Sequence, residues 1–403
     1  ISLSNLNDDQ MSHAKSGQWW ENEGQRALAN NSVAYKEKPQ MGTFMREWLS
    51  LYESKSGERG IFNRESAKVQ AASNGRRDAD HEFGCNPCSE IILRPYQFCN
   101  LSEVVVRATD NLETLENKVR LATILGTFQA TLTDFKYIRK VWKDNTEEER
   151  LLGVSLTGIL DNQLMSGKSA MFGMNIKTTL QTLKDKAIET NEKMSKALGI
   201  PQAAAITCVK PSGTVSQLVD SASGIHARHN PYYIRTVRGD NKDPLTQFMI
   251  AQGIPAEPDV MKPDSTTVFS FPMQSPAGAV CRTDMTAIEQ LELWLMYQRH
   301  WCEHKPSVTI SVKEEEWMDV GSWVYEHFDE VSGISFLPFS EHTYQQAPYQ
   351  DITSIEYDEA KIKMPEKIDW SLLSDFEKED TTSGGRELAC TAGVCEVVDL
   401  DAA

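Results

Sequence analysis

Stretches with helical periodicity alternate along this chain with short apolar runs, and that alternation leaves few folds open. Apolar residues recur at helical spacing over about Thr43–Ser54, Leu115–Phe135, Thr178–Leu198, Thr286–Glu303 and Lys313–His327. Between them lie the extended candidates Ile91–Leu93, Val104–Val106, Ala203–Lys210, Thr267–Phe271 and Ser307–Val312. Helices interleaved with strands in this way argue an α/β architecture. No internal repeat or low-complexity tract interrupts it. The one break in composition is near the end, where a charged, Ser/Thr/Gly-rich run from Lys378 to Gly385 leads to Cys390 and Cys395. Such a run has little to bury and is expected to be mobile.

The 403 residues carry 41 Lys and Arg against 58 Asp and Glu, a net charge of −17. A nucleic-acid polymer or an anionic membrane surface calls for a basic face, so both are excluded as partners; a small anion held by backbone amides stays open. No run of about 18 apolar residues offers a membrane span. Ile1–Asn5 has neither the basic nor the apolar stretch of a signal sequence. The first residue is not Met, and we read the start as a cut. Eight cysteines are too few for a secreted disulfide scaffold, which leads us to expect a cytoplasmic protein whose cysteines do chemistry.

The sharpest local feature is Cys85-Asn86-Pro87-Cys88-Ser89-Glu90-Ile91, followed by Cys99-Asn100-Leu101. Pro87 pushes Asn86 toward extended geometry, and in an extended chain alternate residues share a face. Asn86, Cys88 and Glu90 are therefore expected to point together and Cys85 away, which argues against a Cys85/Cys88 redox pair. Pro95–Phe98 lets the chain turn back and bring Cys99 beside Cys88. An amide, a thiol and a carboxylate on one face, with a second thiol returning, suit radical chemistry on a sugar: the thiyl takes hydrogen from carbon, the carboxylate takes the neighbouring hydroxyl proton, and the second thiol supplies reducing equivalents. The same residues are also compatible with an ordinary Asn-Pro turn carrying a small buried cysteine.

Two further segments carry candidate chemistry. The apolar run Ala203–Val209 reads as a buried strand ending in Lys210-Pro211-Ser212-Gly213-Thr214-Val215-Ser216. Gly213 permits close backbone approach, and the surrounding hydroxyls and amides of Ser212, Thr214 and Ser216 can cradle a phosphate, the more so if a helix starts there; a plain strand-exit turn is the alternative. Cys208 reads as core. Cys390 and Cys395 on the tail can act as a thiol shuttle, entering a site, exchanging with its disulfide and emerging to meet an external dithiol protein.

Asn86–Ile91 with Cys99-Asn100-Leu101 eleven residues after Cys88, together with Gln25–Ser32, Lys210–Ser216 and the two-cysteine tail, resembles the adenosylcobalamin-dependent class of ribonucleotide reductases over essentially the whole chain. The short Cys88-to-Cys99 spacing and the Cys-x4-Cys tail resemble its monomeric branch, which reduces ribonucleoside triphosphates. The resemblance implies the C-terminal half of a ten-stranded α/β barrel with a central finger loop at about 85–100. It implies barrel over 1–340, an extension packing on the barrel over 341–380 and a mobile redox tail over 381–403. It further implies that Cys88 carries the thiyl radical, Glu90 is the base at the 3′-hydroxyl, Asn86 binds the 2′/3′ oxygens and Cys99 is one of two reducing thiols. Pro211, Ser212, Gly213, Thr214 and Val215 would bind the substrate phosphates, and Cys390 and Cys395 would relay electrons from a thioredoxin or glutaredoxin-like protein. Adenosylcobalamin is the implied cofactor, held without a metal ligand from the protein. The family's N-terminal half, with the cysteine that pairs with Cys99, the first part of the barrel and the effector site, has no counterpart here and is expected as a missing partner.

Other readings remain. Reductases that take their radical from a partner subunit carry an adjacent tyrosine pair shortly before the tail cysteines; here the last tyrosine, Tyr357, stands by itself in sequence, far from Tyr232-Tyr233. No Asp-x-His-x-x-Gly cobalamin signature occurs, and His81-Glu82-Phe83-Gly84 has Ala79 where the Asp would be. Cys85, Cys88, Cys390 and Cys395 could form a zinc module without catalysis, although their spacing is unlike that of zinc ribbons. His226 and His229 are spaced as metal ligands or as plain hydrogen-bonding loop residues.

Overall fold

A computed structural model describes residues 2–17, 26, 29–168, 175–339 and 345–378. The chain divides into two compact units, one of Ile1–Ala227, Gly278–Val280 and Asp284–Phe339, the other of Arg228–Ala277, Cys281–Thr283 and Ser340–Ala403. The span expected as one domain, 1–340, is thus split. Arg228–Ala277 groups with the later residues because its strands pair with each other and with Tyr349–Asp351.

The first unit is the α/β structure that the alternation predicts. Its sheets use β1 (Ser2–Ser4), β2 (Asn31–Tyr35), β3 (Gly60–Asn63), β4 (Asn100–Val105), β5 (Leu152–Thr157), β6 (Thr207–Cys208), β7 (Val308–Val312) and β8 (Ile334–Pro338). They are hydrogen-bonded in the orders β1-β2-β3-β8-β7 and β4-β5-β6. Val209 bridges to Pro306, with Ser307 N–H on Val209 O at 2.9 Å, and so joins the exit of β6 to the entry of β7. Within these two sheets pairing is parallel everywhere except between β3 and β8. These eight strands therefore form a run of five parallel strands, β4 to β8, followed by three of opposite sense.

Parallel strands covered on both faces read as continuous apolar runs, and all six residues of β5 are buried. The helices Leu112–Gln129 and Ile176–Leu198 pack against each other beside β4 and β5. Asn191 stitches them together: its Nδ2 donates to Thr127 Oγ1 at 3.0 Å and its Oδ1 accepts from Ala203 N–H at 3.0 Å. The helix Ala287–His300 starts at a capping box between Thr286 and Glu289. It drives Trp294 and Tyr297 into the core, each with no exposed surface, and burying one such aromatic contributes on the order of 3 kcal/mol. Trp294 Nε1 also donates to Pro306 O at 2.8 Å, and the adjoining Trp301 Nε1 donates to Cys208 O at 2.7 Å. Each aromatic so buried keeps its polar atom satisfied and holds a strand end.

Boundaries shifted where local bonds override periodicity. The helix expected to reach Phe135 stops at Gln129, and the last expected helix is Trp317–Glu326, preceded by a 3-10 turn at Glu314–Glu316. Only Thr207–Cys208 of the expected strand Ala203–Lys210 is ladder, because Ala204 N–H is drawn to Glu149 O at 2.8 Å and Ala203 N–H to Asn191. In the second unit the antiparallel order is Ala256–Pro258, Thr266–Gln274, Tyr232–Asp240, Tyr349–Asp351. The helix Pro244–Ala251, capped by Asp243, packs Phe248 on Trp370 and Phe376. Among the described residues no helix is long and apolar enough to cross a membrane.

This topology predicts the order of amide exchange. Leu152 and Val154, whose N–H groups are held by Ala205 O and Ile206 O at 3.0 and 2.8 Å, should exchange with the slowest class. Amides on the outer sides of β1 and β4, which have no strand partner there among the described residues, should exchange at least about a hundredfold faster. The reverse order, read by mass spectrometry of the native chain, would rule out β5 as an interior strand.

Candidate active site

Cys88 lies in a turn between two short antiparallel strands, Gly84–Cys85 and Ile92–Leu93. Ser89 N–H closes the turn on Asn86 O at 2.9 Å. Asn86 and Glu90 do meet as expected, but not through strand alternation: the chain turns here, and Asn86 reaches across the turn. Its Nδ2 donates to Glu90 Oε1 at 2.6 Å and its Oδ1 accepts from Ile91 N–H at 3.0 Å. Glu90 is fully buried, and its Oε2 has no hydrogen-bond partner among the described residues. Cys88 is half-buried beside the exposed Pro87. Cys85 packs on the small cluster of Phe62, Phe83 and Ile92, and burial pushes its thiol up against the opposing pull of Lys305.

Three residues of the run His304-Lys305-Pro306-Ser307 hold this turn from behind: His304, Lys305 and Ser307. His304 Nδ1 accepts from Ile92 N–H at 3.3 Å while its Nε2 donates to Leu152 O at 2.9 Å. Lys305 N–H donates to Glu90 O at 3.0 Å, and Ser307 Oγ donates to Cys88 O. Lys305 Nζ donates to Ser89 Oγ at 3.3 Å and to Ser332 Oγ at 3.0 Å, and it lies over the Phe62 ring at 4.3 Å. Those bonds steady Ser89 at φ 69°, a conformation that L residues seldom adopt.

The returning segment is fixed just as firmly. Gln97, buried, accepts from Arg94 N–H at 3.1 Å and donates through Nε2 to Glu149, which pairs with Arg77 at 3.0 Å. Cys99 then crosses β5 at Gly153, where an added Cβ would come within 3.3 Å of its Sγ. Burial pushes the Cys99 thiol up, and the charge of Glu90 adds to that. Cys208 is core, as expected.

The segment after β6 departs from expectation in detail. A short helix, Thr214–Leu218, does start at Gly213, and its first N–H groups lack intrahelical partners. Gly213, Thr214 and Val215 are exposed. Gly213 has φ −68°, so its backbone does not demand glycine. Two of the three hydroxyls are spent inward: Ser212 Oγ donates to Glu103 Oε1 at 2.8 Å and Ser216 Oγ to Gly213 O at 2.9 Å. Burial raises Glu103 above the usual carboxylate range. Lys210, just before Pro211, places Nζ 3.4 Å from Glu90 Oε1 and 3.8 Å from Cys88 Sγ.

Sequence reasoning passed over Lys210, Lys305 and Ser307 as individuals. Lys210 had a signal, a lone cation at the exit of an apolar strand; Lys305 and Ser307, more than 200 residues from the turn they hold, had none. His226 is hydrogen-bonded rather than poised for a metal: Nδ1 donates to Ser223 O at 3.0 Å and Nε2 accepts from Thr309 N–H at 3.1 Å. In the other unit, His229 pairs with Asp351 at 2.7 Å. Tyr357, isolated in sequence, is 5.3 Å from Tyr232 ring to ring. Among the described residues no group of three or more His, Cys, Asp or Glu could hold a metal ion. Cys390 and Cys395 lie outside the described residues, as do Gln25, Ala27 and Leu28 of the Gln25–Ser32 motif.

A comparison with known proteins bears on this arrangement. A Euglena gracilis adenosylcobalamin-dependent ribonucleoside-triphosphate reductase is 30% identical over 349 residues, covering 84% of this chain and 46% of the relative. One from Lacticaseibacillus paracasei is 29% identical over 357 residues, covering 81% and 46%. The chain is a homologue of the adenosylcobalamin-dependent ribonucleotide reductases. It spans about half the length of the curated relatives it matches. A solved B-12 dependent (class II) ribonucleotide reductase superposes with a TM-score of 0.75 at 22% identity, covering 94% of this chain and 55% of the other, which shows a shared fold. An Actinobacillus ureae class Id reductase alpha subunit shares it more loosely, with a TM-score of 0.52 at 12% identity over 77% of this chain and 65% of that one. No family model matches.

Lys305 yields a pH prediction. Burial pulls its ammonium down from the usual 10.5 to about 8. Above about pH 8 the folded chain has lost this proton while the unfolded chain keeps it to about 10.4, so stability rises with pH through that window. The penalty is full below it and relieved above it, and amounts to about 3 kcal/mol. Lys305→Met should remove most of this rise, measured as the difference from wild type in urea-unfolding free energy between about pH 7.5 and 10. Parallel curves for the two proteins would show that the ammonium carries no such burial cost.

Proposed function

We propose that this chain is the radical-bearing part of a ribonucleotide reductase that converts ribonucleoside triphosphates to 2′-deoxyribonucleotides with adenosylcobalamin as cofactor. The observation that carries the reading is the turn itself: the buried carboxylate of Glu90, with one oxygen left unpartnered, two residues from the half-exposed thiol of Cys88. A buried polar atom without a protein partner is one that a bound molecule can satisfy. A base beside a hydrogen-abstracting thiol suits a substrate whose reacting C–H and O–H sit on one carbon.

The residues present fit the cofactor in one respect: the exposed Pro87 leaves a face from which a bulky group can approach Cys88, the residue that would meet it. When bound, adenosylcobalamin supplies the one-electron oxidation that turns a thiol into a hydrogen-abstracting sulfur. The chain does the rest. Glu90 Oε2 accepts the 3′-hydroxyl proton. Asn86 spends one N–H on Glu90, and its second holds a sugar oxygen. Cys99, kept a neutral thiol by burial and by the Glu90 charge, gives hydrogen to the substrate. The exposed amides at Gly213–Val215 take the phosphates, next to Pro211 and Ser212. Cys390 and Cys395 re-reduce the site from a thioredoxin or glutaredoxin-like protein. The five parallel strands and three opposed ones are compatible with a ten-stranded barrel whose remaining strands come from outside this chain, with 85–100 as its finger loop.

The test is deoxynucleotide formation by the complete protein, given ribonucleoside triphosphates, adenosylcobalamin and a dithiol. None formed would reject the reading. Within that assay Cys88→Ser should abolish turnover and leave nucleotide binding intact, since a serine O–H is too strong a bond to replace the thiol; measurable product would move the radical elsewhere. Glu90→Gln should lower kcat by roughly two to four orders of magnitude with little change in KM. If KM carried the effect instead, Glu90 would be a binding group rather than a base.

A further inference from the structure

Lys210 takes no part in the mechanism above, yet its ammonium touches both groups that mechanism depends on. Nζ is 3.4 Å from Glu90 Oε1 and 3.8 Å from Cys88 Sγ, and the side chain is 31% exposed while Glu90 is fully enclosed. The lysine is anchored from its own backbone, with N–H donating to Ser155 Oγ at 2.8 Å, and Pro211 follows it directly. The ammonium is therefore fixed at the junction of the Cys88 turn and the exposed segment at Gly213–Val215.

We propose that Lys210 is a further catalytic residue of this site, a cation shared by base and thiol, its ammonium held against both the Glu90 carboxylate and the Cys88 sulfur. It moves no proton: it holds the carboxylate ready to accept one. An opposite charge at this range favours the ionised state of its neighbour. Burial works against the lysine's own charge, but Glu90 and Cys88 outweigh it and hold the ammonium above the ordinary lysine range. Lys305, the other nearby cation, is turned to Ser89 and Ser332. Glu103 lies in electrostatic reach of Lys210, and Cys85, Cys99 and Cys208 lie in reach of Glu90. The role of Lys210 in turnover rests on the reductase reading; its hold on Cys88 and Glu90 does not.

Two readouts separate these. In the complete protein without cofactor, alkylation of Cys88 by iodoacetamide, followed on its own peptide by mass spectrometry across pH, reports the thiolate. Lys210→Met should slow it about tenfold or more near neutral pH, with the midpoint moved upward, while Lys210→Arg should stay within about threefold of wild type. In the nucleotide-reduction assay the acidic limb of kcat/KM should move to higher pH in Lys210→Met, because a carboxylate that loses its cation ionises later, and return toward wild type in Lys210→Arg. Should Lys210→Met lose its fold by circular dichroism, Lys210→Gln carries the same comparison. Unchanged alkylation and an unchanged limb would overturn the proposal. Shifted alkylation in a protein that reduces no nucleotide would sink the reductase reading and leave the shared cation standing.

Discussion

Taking a carboxylate fully out of water costs several kcal/mol unless partners replace the water, and Glu90 is such a carboxylate. Its compensation is thin: the Asn86 amide at 2.6 Å and the Lys210 ammonium at 3.4 Å, both on Oε1. Much of the surrounding architecture serves to keep those two in place. The turn must bend so that Asn86 faces back along it, Ser89 must hold a left-handed backbone, and β6 must end where Lys210 can reach in.

The rigidity behind the turn has its own lineage. A capping box starts the helix Ala287–His300, that helix buries Trp294, and Trp294 holds the carbonyl of Pro306. Pro306 sits between the two residues that grip the carbonyls of Glu90 and Cys88. Cys88 is thus held from behind through its carbonyl, while its sulfur faces the Lys210 ammonium at 3.8 Å. A cation–π contact with Phe62 and two hydroxyls replace the water that Lys305 gave up, incompletely, as its lowered proton affinity shows.

Much of this was legible in the chain. The periodic helices appear close to their expected bounds, and Asn86 meets Glu90, with Cys88 linked to Glu90 through the Lys210 ammonium. The route was misread: an Asn-Pro step was taken as the start of an extended run, whereas Ser89 N–H turns the chain back on Asn86 O. β5 was passed over although Leu152-Gly153-Val154-Ser155-Leu156-Thr157 alternates apolar with small or polar residues; what the alternation does not foretell is burial on both faces, which comes from neighbours on both sides. β2, β3 and β8 carry Asn, Ser and Gly at positions that tertiary bonding satisfies. Nothing local foretells that Ser307 will bond Cys88, since such a contact belongs to topology rather than to any window of sequence.

That last contact joins residues 219 apart, and the distance has a temporal meaning. Chains are synthesised from the N-terminus at roughly 5–20 residues per second, so Ser307 leaves the ribosome roughly 10–45 s after Cys88 does. During that interval the turn lacks its rear support, and thiol and carboxylate have no fixed relation. On the proposed reading, a hydrogen-abstracting site would be hazardous to a half-made protein. Placing its scaffold late in the reading frame makes competence a property of the finished chain, with the order of translation itself as the safeguard.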